Sequence, residues 1–348
     1  MPRPLPDVLP IRWPQEAQAP PPATLAALDR AIDVLRGGGV VAVPTETVYG
    51  LAAVATDADA VERIFAAKGR PATNPLIVHV ADIAMARTLA ADWPVAADRV
   101  AAALWPGPVT VVVPRGPRIP NVVTAGGATV ALRCPAHRLT RLLIEKLAAP
   151  LAAPSANRSL AVSPTTAAHV LDSLGNRIDL ILDGGPCTRG IESTVVDCTV
   201  EPPLVLRPGP VTISQLEQAL SAPVDPHRET PDAGPARSPG QLARHYAPRT
   251  PLELPTHPAD RVAALLAAGK RVGWLTATAD APETRQLAAS RDLVIVPMPT
   301  DPDAYAAMLY AALHALDKRD LATIVVDLPA DTDAWRAVRD RLTRAASA

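Results

Sequence analysis

The chain has 348 residues, 48% of them hydrophobic, and its 34 basic and 35 acidic side chains give a formal net charge of −1. This length predicts about two domains, and the near-neutral charge argues against capture of nucleic acid by the whole surface, although a local basic cleft is compatible with it. The three cysteines show no CxxC spacing, which argues against a disulfide framework or a zinc site and fits a reducing compartment.

The N-terminal residues 1–22 contain eight prolines and lack the apolar segment of a signal peptide, so they are predicted to form a disordered or extended tail. A helix is predicted from Thr24, its expected N-cap, to a stop at Gly37, and a buried strand follows at 40–44. No stretch has the roughly 18 uninterrupted apolar residues of a membrane-spanning helix. The sequence therefore predicts a soluble, cytoplasmic protein without a membrane segment.

The apolar periodicity of the next 180 residues alternates between the periods of strands and helices. It predicts strands at 75–80, 109–114, 129–135, 179–183, 193–198 and 203–207, and helices at 57–69, 82–91, 96–104, 136–148, 165–173 and 212–220. Several strands follow one another directly, which favours a mixed sheet over a purely parallel one. Residues 23–221 are therefore predicted to be one α/β domain with a mixed, twisted sheet.

The composition changes at residues 222–251, which are rich in proline, glycine, serine and charge and show no periodicity. They are predicted to be a linker, and the aromatic residue and histidine of the "HYAP" motif within it favour a segment that docks. Residues 252–348 alternate cleanly between helices and strands, which predicts a smaller Rossmann-like, three-layer domain with a parallel sheet. Since that domain lacks GxGxxG and GxxxxGK[ST], a regulatory or structural role is favoured over a catalytic one.

Polar clusters interrupt the ends of the predicted strands in the first domain. Lys68 and Arg70 are two residues apart beside a turn, an arrangement that suits a polyphosphate, although a solvated turn is the alternative. Arg133 ends a buried strand and must meet an anion, either an internal carboxylate or the carboxylate of a ligand. His79 lies inside an apolar strand, where a satisfied core histidine is the alternative to a ligand contact.

Three further motifs, "APSANRSLAVSPTT", "GIESTVVDCT" and "VLRPGPVT", place serines, an asparagine and Arg207 beside strands. The sequence shows no Ser-His-Asp order, no activated cysteine and no HExxH motif. These features favour electrostatic positioning over a covalent nucleophile, as phosphoryl and nucleotidyl transfer require.

The motifs "PTETVYGL", "KGRP…NPLIVHV", "PGPVTVVV", "ALRCP", "APSAN", "ESTVVD" and "LRPG" resemble, in order and spacing, the YrdC-like family of L-threonylcarbamoyladenylate synthases. The resemblance spans roughly 25–222, and "SPGQLARHYAPRTP" with the trailing α/β domain resembles the longer, two-domain branch. It implies that L-threonine, bicarbonate and ATP, the last accompanied by Mg²⁺, give threonylcarbamoyl-AMP and pyrophosphate. A partner tRNA threonylcarbamoyl transferase complex would use the product to modify tRNA, and direct tRNA binding is not required of this chain.

The resemblance also implies a role for individual residues. The catalytic tetrad would be Lys68, Arg70, Ser155 and Asn157. ATP would be contacted by Arg70, Asn74, Thr129, Ser155, Ser163, Arg207 and Tyr246. Tyr246 would reach ATP from the linker 222–251, which would act as a lid over the active site. L-Threonine would be held by Thr47, His79, Arg133, the backbone of Ala153, and Ser193, and no protein residue would be a metal ligand.

Two alternatives stay open. An RNA-binding maturation module would use the same basic concavity for a phosphodiester backbone, but the chain lacks net positive charge and interleaved aromatic residues. A transferase that uses carbamoyl phosphate would need similar anion-binding groups.

Overall fold

The structure is a computed structural model that describes residues 4–14, 16–226 and 245–346. The chain divides into two compact units. The first comprises Met1–Ser159, Pro164–Thr188 and Glu192–Gln241, and the second comprises Leu160–Ser163, Arg189–Ile191 and Leu242–Ala348. Two short segments from the first 200 residues thus belong to the second unit, which the linear boundaries drawn from the sequence did not include.

The described residues of the first unit form a ten-stranded sheet. Its strands are β1 Asp7–Pro10, β2 Val41–Val43, β3 Gly50–Val54, β4 Ile77–His79, β5 Val109–Pro114, β6 Thr129–Arg133, β7 Leu151–Ala152, β8 Leu180–Asp183, β9 Thr194–Asp197 and β10 Leu204–Arg207. They lie in the order β1-β8-β2-β3-β7-β4-β6-β5-β9-β10. The β4–β6 and β5–β9 pairs are parallel and the β4–β7 and β5–β6 pairs antiparallel, so the predicted mixed sheet is confirmed.

Helices cover both faces of this sheet: α1 Pro22–Arg36, α2 Ala58–Lys68, α3 Ile83–Arg87, α4 Val95–Leu104, α5 Arg138–Leu147, α6 Ala167–Leu174 and α7 Ile213–Leu220. Successive strand residues point to opposite faces. In β2, Val41 and Val43 therefore pack in one core cluster with α1 and α5, whereas Ala42 lies in another with α2 and α6. The sheet is buried between two apolar layers.

Within the tail that the sequence predicts to be disordered or extended, residues 7–10 are extended. They form β1, which pairs in parallel with β8, and Ile11 N donates to Asp183 O at 2.7 Å. An edge strand tolerates proline because only one of its sides needs a hydrogen-bonded neighbour. Distant contacts, such as the Arg138 guanidinium 4.1 Å from the Trp13 ring centre, stabilise the segment.

The start of α1 also differs from the prediction. The helix begins at Pro22, with Pro21 as its N-cap, and so it starts before Thr24. Proline suits the first helical turn because its missing N–H would have no partner there. The Thr24 side chain is buried, and its hydroxyl donates to Arg12 O at 3.3 Å, so it holds the N-terminal segment instead of capping the helix.

The second unit contains a four-stranded sheet among its described residues, with the order β11-β14-β12-β13. Its elements are β11 Leu252–Glu253, β12 Val272–Thr276, β13 Leu293–Pro297, β14 Thr323–Val326, and helices α8 Pro258–Ala267, α9 Pro282–Leu287, α10 Pro302–Leu316 and α11 Arg336–Ala346. All of its strand pairs are parallel, which confirms the predicted parallel sheet. A cleft of about 570 Å³ lies beyond the carboxyl ends of β11, β12 and β14, where Thr278 and Asp327 line it.

The predicted linker is described only in part. Residues 227–244, the centre of the predicted lid, lie outside the described residues. Tyr246 belongs to the second unit and has a left-handed backbone with φ of 61°. Its buried ring stacks 6.0 Å from that of Tyr310 and lies 4.9 Å from the Arg341 guanidinium. No helix in the described part of the chain is long and apolar enough to cross a membrane.

Candidate active site

Lys68 and Arg70 leave the end of α2 in a geometry that a glycine makes possible. Asp57 caps the start of the helix, where its carboxylate accepts from the N–H groups of Asp59 and Ala60. Gly69 ends the helix with φ of 61°, a left-handed conformation that costs glycine little. The chain therefore turns sharply between Lys68 and Arg70, and both side chains are buried.

The Lys68 ammonium meets the "APSAN" loop. Its Nζ donates to Ser155 O and to Asn157 O, each at 2.5 Å. The loop itself lies against the start of β3, because Ala156 N donates to Tyr49 O at 2.8 Å and Leu51 N donates to Pro154 O at 2.7 Å. The structure thus brings the Lys68 side chain to the predicted partners Ser155 and Asn157.

The pKa of Lys68 lies well below its ordinary value. Burial is the main cause, and the nearby positive charge of Arg70 adds to it, whereas Glu192 acts in the opposite direction. Binding of an anion beside such a buried lysine would raise its pKa again, because the negative charge stabilises the protonated form.

Arg70 and Asn74 form the other side of the same turn. The Arg70 side chain donates from Nε to Asn74 O at 3.2 Å and from Nη2 to Pro75 O at 2.9 Å. Asn74 is buried, and its Nδ2 has no hydrogen-bond partner among the described residues. An unpaired amide donor is costly inside a protein, so its position beside buried cations indicates a site for an acceptor from a ligand.

Arg133 ends β6 and pairs with the "PTETVYGL" turn. Its Nη2 donates to Glu46 Oε1 at 2.6 Å, its Nη1 to Thr47 Oγ1 at 2.9 Å and its Nε to Gly107 O at 3.2 Å. Glu46 is therefore an internal carboxylate for Arg133, the alternative that the sequence left open. A guanidinium has five N–H donors, so two of them have no partner among the described residues.

His79 lies directly opposite Arg133 in the parallel β4–β6 pair. Burial, with the charge of Arg133 as a second cause, lowers the pKa of His79 to about 3, so the imidazole is neutral at physiological pH. Its Nδ1 has no hydrogen-bond partner among the described residues. His79 is not a core histidine with its polar atoms satisfied, because one of them is free for a ligand.

Several of the predicted polar residues lie on one face of the sheet, because residues two apart along a strand point to the same side. Thr129 shares this face with Arg133, and His79 lies on the neighbouring strand. Between them an apolar cluster is made by Ile77, Val112, Ala131, Val195 and Leu206. The site thus has an apolar floor and polar groups at its ends, which is typical of small-ligand sites.

Ser193 and Arg207 meet at the far side of the same sheet. Arg207 donates to Ser193 O from Nε at 3.1 Å and from Nη2 at 3.0 Å, and Nη2 also reaches Ser193 Oγ at 3.1 Å. The Ser193 hydroxyl lies 2.8 Å from Thr110 Oγ1. The resemblance assigns Ser193 and Arg207 to different ligands, and the structure places the two residues in direct contact.

The charge of the region is positive. Lys68, Arg70, Arg133 and Arg207 are all less than 8% exposed, and the buried carboxylates that act on Lys68 and Arg133 are Glu192 and Glu46. The cost of removing a cation from water is offset in part when an anion lies close to it. The arrangement therefore favours an anionic ligand.

Most predicted site residues lie in the first unit, but two do not. Ser163 and Tyr246 belong to the second unit, where Ser163 O lies 3.1 Å from His314 Nε2. Ala153 N already donates to Ile77 O at 3.0 Å, so its carbonyl is the backbone group left for a ligand. The sequence reasoning missed Glu46 and Thr110, although Glu46 lies inside the quoted "PTETVYGL" motif.

Buried cations, neutral polar groups and an apolar floor define a transferase-like α/β site that positions anions by electrostatics. Residues 33–209 match the family described as "Telomere recombination" (Sua5, YciO and YrdC), and residues 211–347 match "Threonylcarbamoyl-AMP synthase, C-terminal domain". The chain belongs to this family of threonylcarbamoyl-AMP synthases.

Relatives of full length support this membership. The threonylcarbamoyl-AMP synthase of Pyrococcus abyssi is 38% identical over 90% of this chain and 92% of its own length. That of Bacillus subtilis is 40% identical over 91% of this chain and 92% of its own. The crystal structure of P. abyssi Sua5 complexed with L-threonine superposes with a TM-score of 0.86 at 35% identity, covering 98% of this chain and 97% of that one.

Proposed function

We propose that this chain joins L-threonine, bicarbonate and ATP into threonylcarbamoyl-AMP and releases pyrophosphate, which makes it a nucleotidyltransferase acting in tRNA threonylcarbamoyladenosine biosynthesis. Family membership over both units and a threonine-bound relative support it. The observation that carries it is the presence of two kinds of buried anion-binding group in the first unit. Arg133 has N–H donors left for a carboxylate, and Lys68 and Arg70 are buried cations suited to phosphates.

The threonine subsite would centre on Arg133. Its two remaining N–H groups, one on each terminal nitrogen, suit a bidentate bond to the substrate carboxylate. Thr47 and Glu46 hold the guanidinium from the other side and so fix its plane. Neutral His79 would contact the amino acid through the nitrogen that has no protein partner, with the Ala153 carbonyl and the Ser193 hydroxyl completing the subsite.

The nucleotide subsite would centre on Lys68 and Arg70. Both are buried, and the negative charge of ATP phosphates would stabilise their positive charges. Asn74 would donate its unpartnered amide to the nucleotide. The other predicted ATP contacts in the first unit are Thr129, Ser155 and Arg207, with Asn157 completing the catalytic tetrad. ATP contacts by Ser163 and Tyr246 stay predictions.

In the reaction, the amine of threonine and bicarbonate give N-carboxythreonine and water. An oxygen of the new carboxylate then attacks the α-phosphorus of ATP, and pyrophosphate leaves. The residues act by holding two anions in line and by neutralising charge that develops on the phosphates. Arg133 would orient the attacking molecule, and Lys68, Arg70 and Arg207 would stabilise the transferring and leaving groups.

Mg²⁺ is expected to arrive with ATP. No group of three His, Cys, Asp or Glu side chains in the described residues is arranged as a metal site. Mg²⁺ binds chiefly through substrate phosphates and water, so ATP would supply most of its ligands other than water. We assign no step of the reaction to protein-bound metal.

The decisive experiment measures pyrophosphate release from ATP by the purified full chain, with threonine and bicarbonate each present or omitted. We expect release that requires both, and a product with the mass of threonylcarbamoyl-AMP. Cleavage of ATP that is independent of threonine would contradict the proposal, as would the absence of any cleavage. A carbamoyl-phosphate-using transferase would instead work without bicarbonate, and an RNA-binding module would bind tRNA without cleaving ATP.

A further inference from the structure

Glu46 carries a buried carboxylate oxygen that the described protein leaves unpaired. The residue is 8% exposed, and Oε1 accepts from Arg133 Nη2 at 2.6 Å. Its second oxygen, Oε2, has no hydrogen-bond partner among the described residues. A carboxylate oxygen that is removed from water without a donor is unfavourable, so a ligand that brings a donor would be stabilised there.

Apart from Arg133, the titratable groups coupled to Glu46 are His137, Cys134 and Cys187, and none of them supplies a positive charge. Burial lowers the pKa of His137 and raises the pKa of Cys134 to about 11 and that of Cys187 to about 12, so all three are uncharged near neutral pH. Within the described residues, Arg133 is thus the cation paired with Glu46, through one oxygen only. The other oxygen suits a second cationic donor.

Among the three substrates of the proposed reaction, only threonine offers such a group. ATP and bicarbonate are anions, which a buried carboxylate repels, whereas the α-ammonium of threonine is a charged N–H donor. In threonine the ammonium and the carboxylate share one carbon atom. Arg133 and Glu46, which are in direct contact, place a guanidinium beside a carboxylate. The guanidinium suits the carboxylate of threonine, and the carboxylate suits its ammonium.

We propose that Glu46 Oε2 accepts a hydrogen bond from the α-ammonium of threonine and then takes the proton that this nitrogen must lose. The proton moves from the ammonium to the carboxylate, which leaves a neutral amine and protonated Glu46. The amine lone pair attacks the carbon of bicarbonate, and N-carboxythreonine and water result. This role rests on the proposed function, and it makes Glu46 both a specificity determinant for α-amino acids and the general base of the first step.

The binding test compares threonine with (R)-3-hydroxybutanoate, which has the same carboxylate and hydroxyl but no ammonium. Dissociation constants are measured by ligand-observed NMR, which reaches the millimolar range, for the full chain and for Glu46→Gln. We expect the substitution to weaken threonine binding by about tenfold or more and to change binding of the analogue by less than about threefold. Equal weakening of both ligands would show that Glu46 acts only through Arg133 and would overturn the proposal, as would no weakening of either.

Asp179→Asn is the matched control, because Asp179 also pairs with an arginine of the first unit, accepting from Arg63 Nη2 at 2.9 Å. We expect it to leave the ratio of the two dissociation constants unchanged. Glu46→Asp keeps the charge and replaces Glu46→Gln if that variant does not fold. The proposal expects it to retain the preference for threonine over the analogue, and loss of that preference in a folded Glu46→Asp protein would contradict it.

The pH profile tests the proton transfer separately. At saturating threonine near pH 7.5, we expect Glu46→Gln to release pyrophosphate about 100-fold more slowly than the unsubstituted chain. As the pH rises, more threonine is already deprotonated in solution, so the rate of Glu46→Gln should increase by about tenfold per pH unit. The unsubstituted chain should not show this increase. Parallel pH profiles would overturn the base role. If the unsubstituted chain makes no threonylcarbamoyl-AMP at all, the proposed function fails, while the binding comparison still decides whether Glu46 holds the ammonium.

Discussion

Lys68 Nζ donates a 2.5 Å hydrogen bond to the carbonyl oxygen of Asn157, 89 residues further along the chain. This bond joins the two halves, Lys68 with Arg70 and Ser155 with Asn157, of the tetrad that the resemblance implies. Since the carbonyl is neutral, it holds the ammonium in place without cancelling its charge. The proposed ATP phosphate would therefore meet the full charge of the protonated Lys68.

The first prediction concerns the pH dependence of ATP binding. Because the pKa of Lys68 is lowered well below the usual value for lysine, the ammonium loses its charge at a lower pH than an ordinary lysine does. ATP affinity of the full chain should therefore weaken as the pH rises at values below the ordinary lysine pKa of about 10.4. Lys68→Arg keeps its charge over this range and should flatten the profile, although its different shape will lower the activity. Calorimetric titrations with ATP measure both proteins, and identical profiles would show that Lys68 does not bind the phosphates.

The second prediction separates the two subsites through Arg133. Arg133→Lys keeps a positive charge beside Glu46 but loses the planar fork that suits a carboxylate. Threonine should bind about 10- to 100-fold more weakly, and ATP by less than about threefold, as calorimetry can show. Arg133→Ala should also weaken threonine binding more than ATP binding. In addition, it leaves Glu46 buried without its partner, which costs about 3–5 kcal/mol of stability. A larger loss for ATP than for threonine would reverse the assignment.

The third prediction concerns how the free energy of unfolding depends on pH through His79. Its pKa is lowered to about 3 in the folded protein, below the ordinary 6.5, so between these values the unfolded chain binds a proton that the folded one does not. The free energy of unfolding should therefore fall as the pH falls from about 6.5 towards 3, by up to about 1.4 kcal/mol per pH unit from this group. His79→Gln should remove this contribution. Urea unfolding of both proteins at several pH values checks it, and equal slopes would contradict it.

The fourth prediction concerns Tyr246, whose ring packs in the second unit between Tyr310 and Arg341. Tyr246→Ala should destabilise that unit by about 3–5 kcal/mol, because it removes a buried aromatic ring. Tyr246→Phe keeps the ring and removes only the hydroxyl. If the hydroxyl contacts ATP, as the resemblance implies, the phenylalanine variant should raise the KM for ATP and leave the melting temperature nearly unchanged. A kinetically silent Tyr246→Phe would count against that contact.

The longer elements were predictable because their signals are local. The strand predicted at 109–114 is β5, and the helix predicted at 96–104 is α4, which begins one residue earlier. The strands that the sequence missed are β1, β3, β7 and β11, which are two to five residues long. Such segments are too short for a clear period, and pairing with neighbouring strands, not intrinsic preference, makes them extended.

The candidate site also has residues that local sequence predicts and residues that only distant contacts reveal. Lys68, Arg70 and Asn74 lie in one short turn, so the sequence placed them together. Glu46 was missed because its importance depends on Arg133, 87 residues away, and on the orphaned oxygen that this pairing leaves. A glutamate beside three hydroxyl-bearing side chains carries no local signal that it will be buried.

The sequence by itself determined the α/β class, the parallel C-terminal sheet and the set of polar motifs at strand ends, since these follow from periodicity and turn residues within short windows. Only the tertiary structure decided that the N-terminal segment joins the sheet, that Arg133 pairs with Glu46, and that His79 keeps an unpaired nitrogen opposite it. Burial and strand register set these contacts, and both depend on residues that are far apart in the chain.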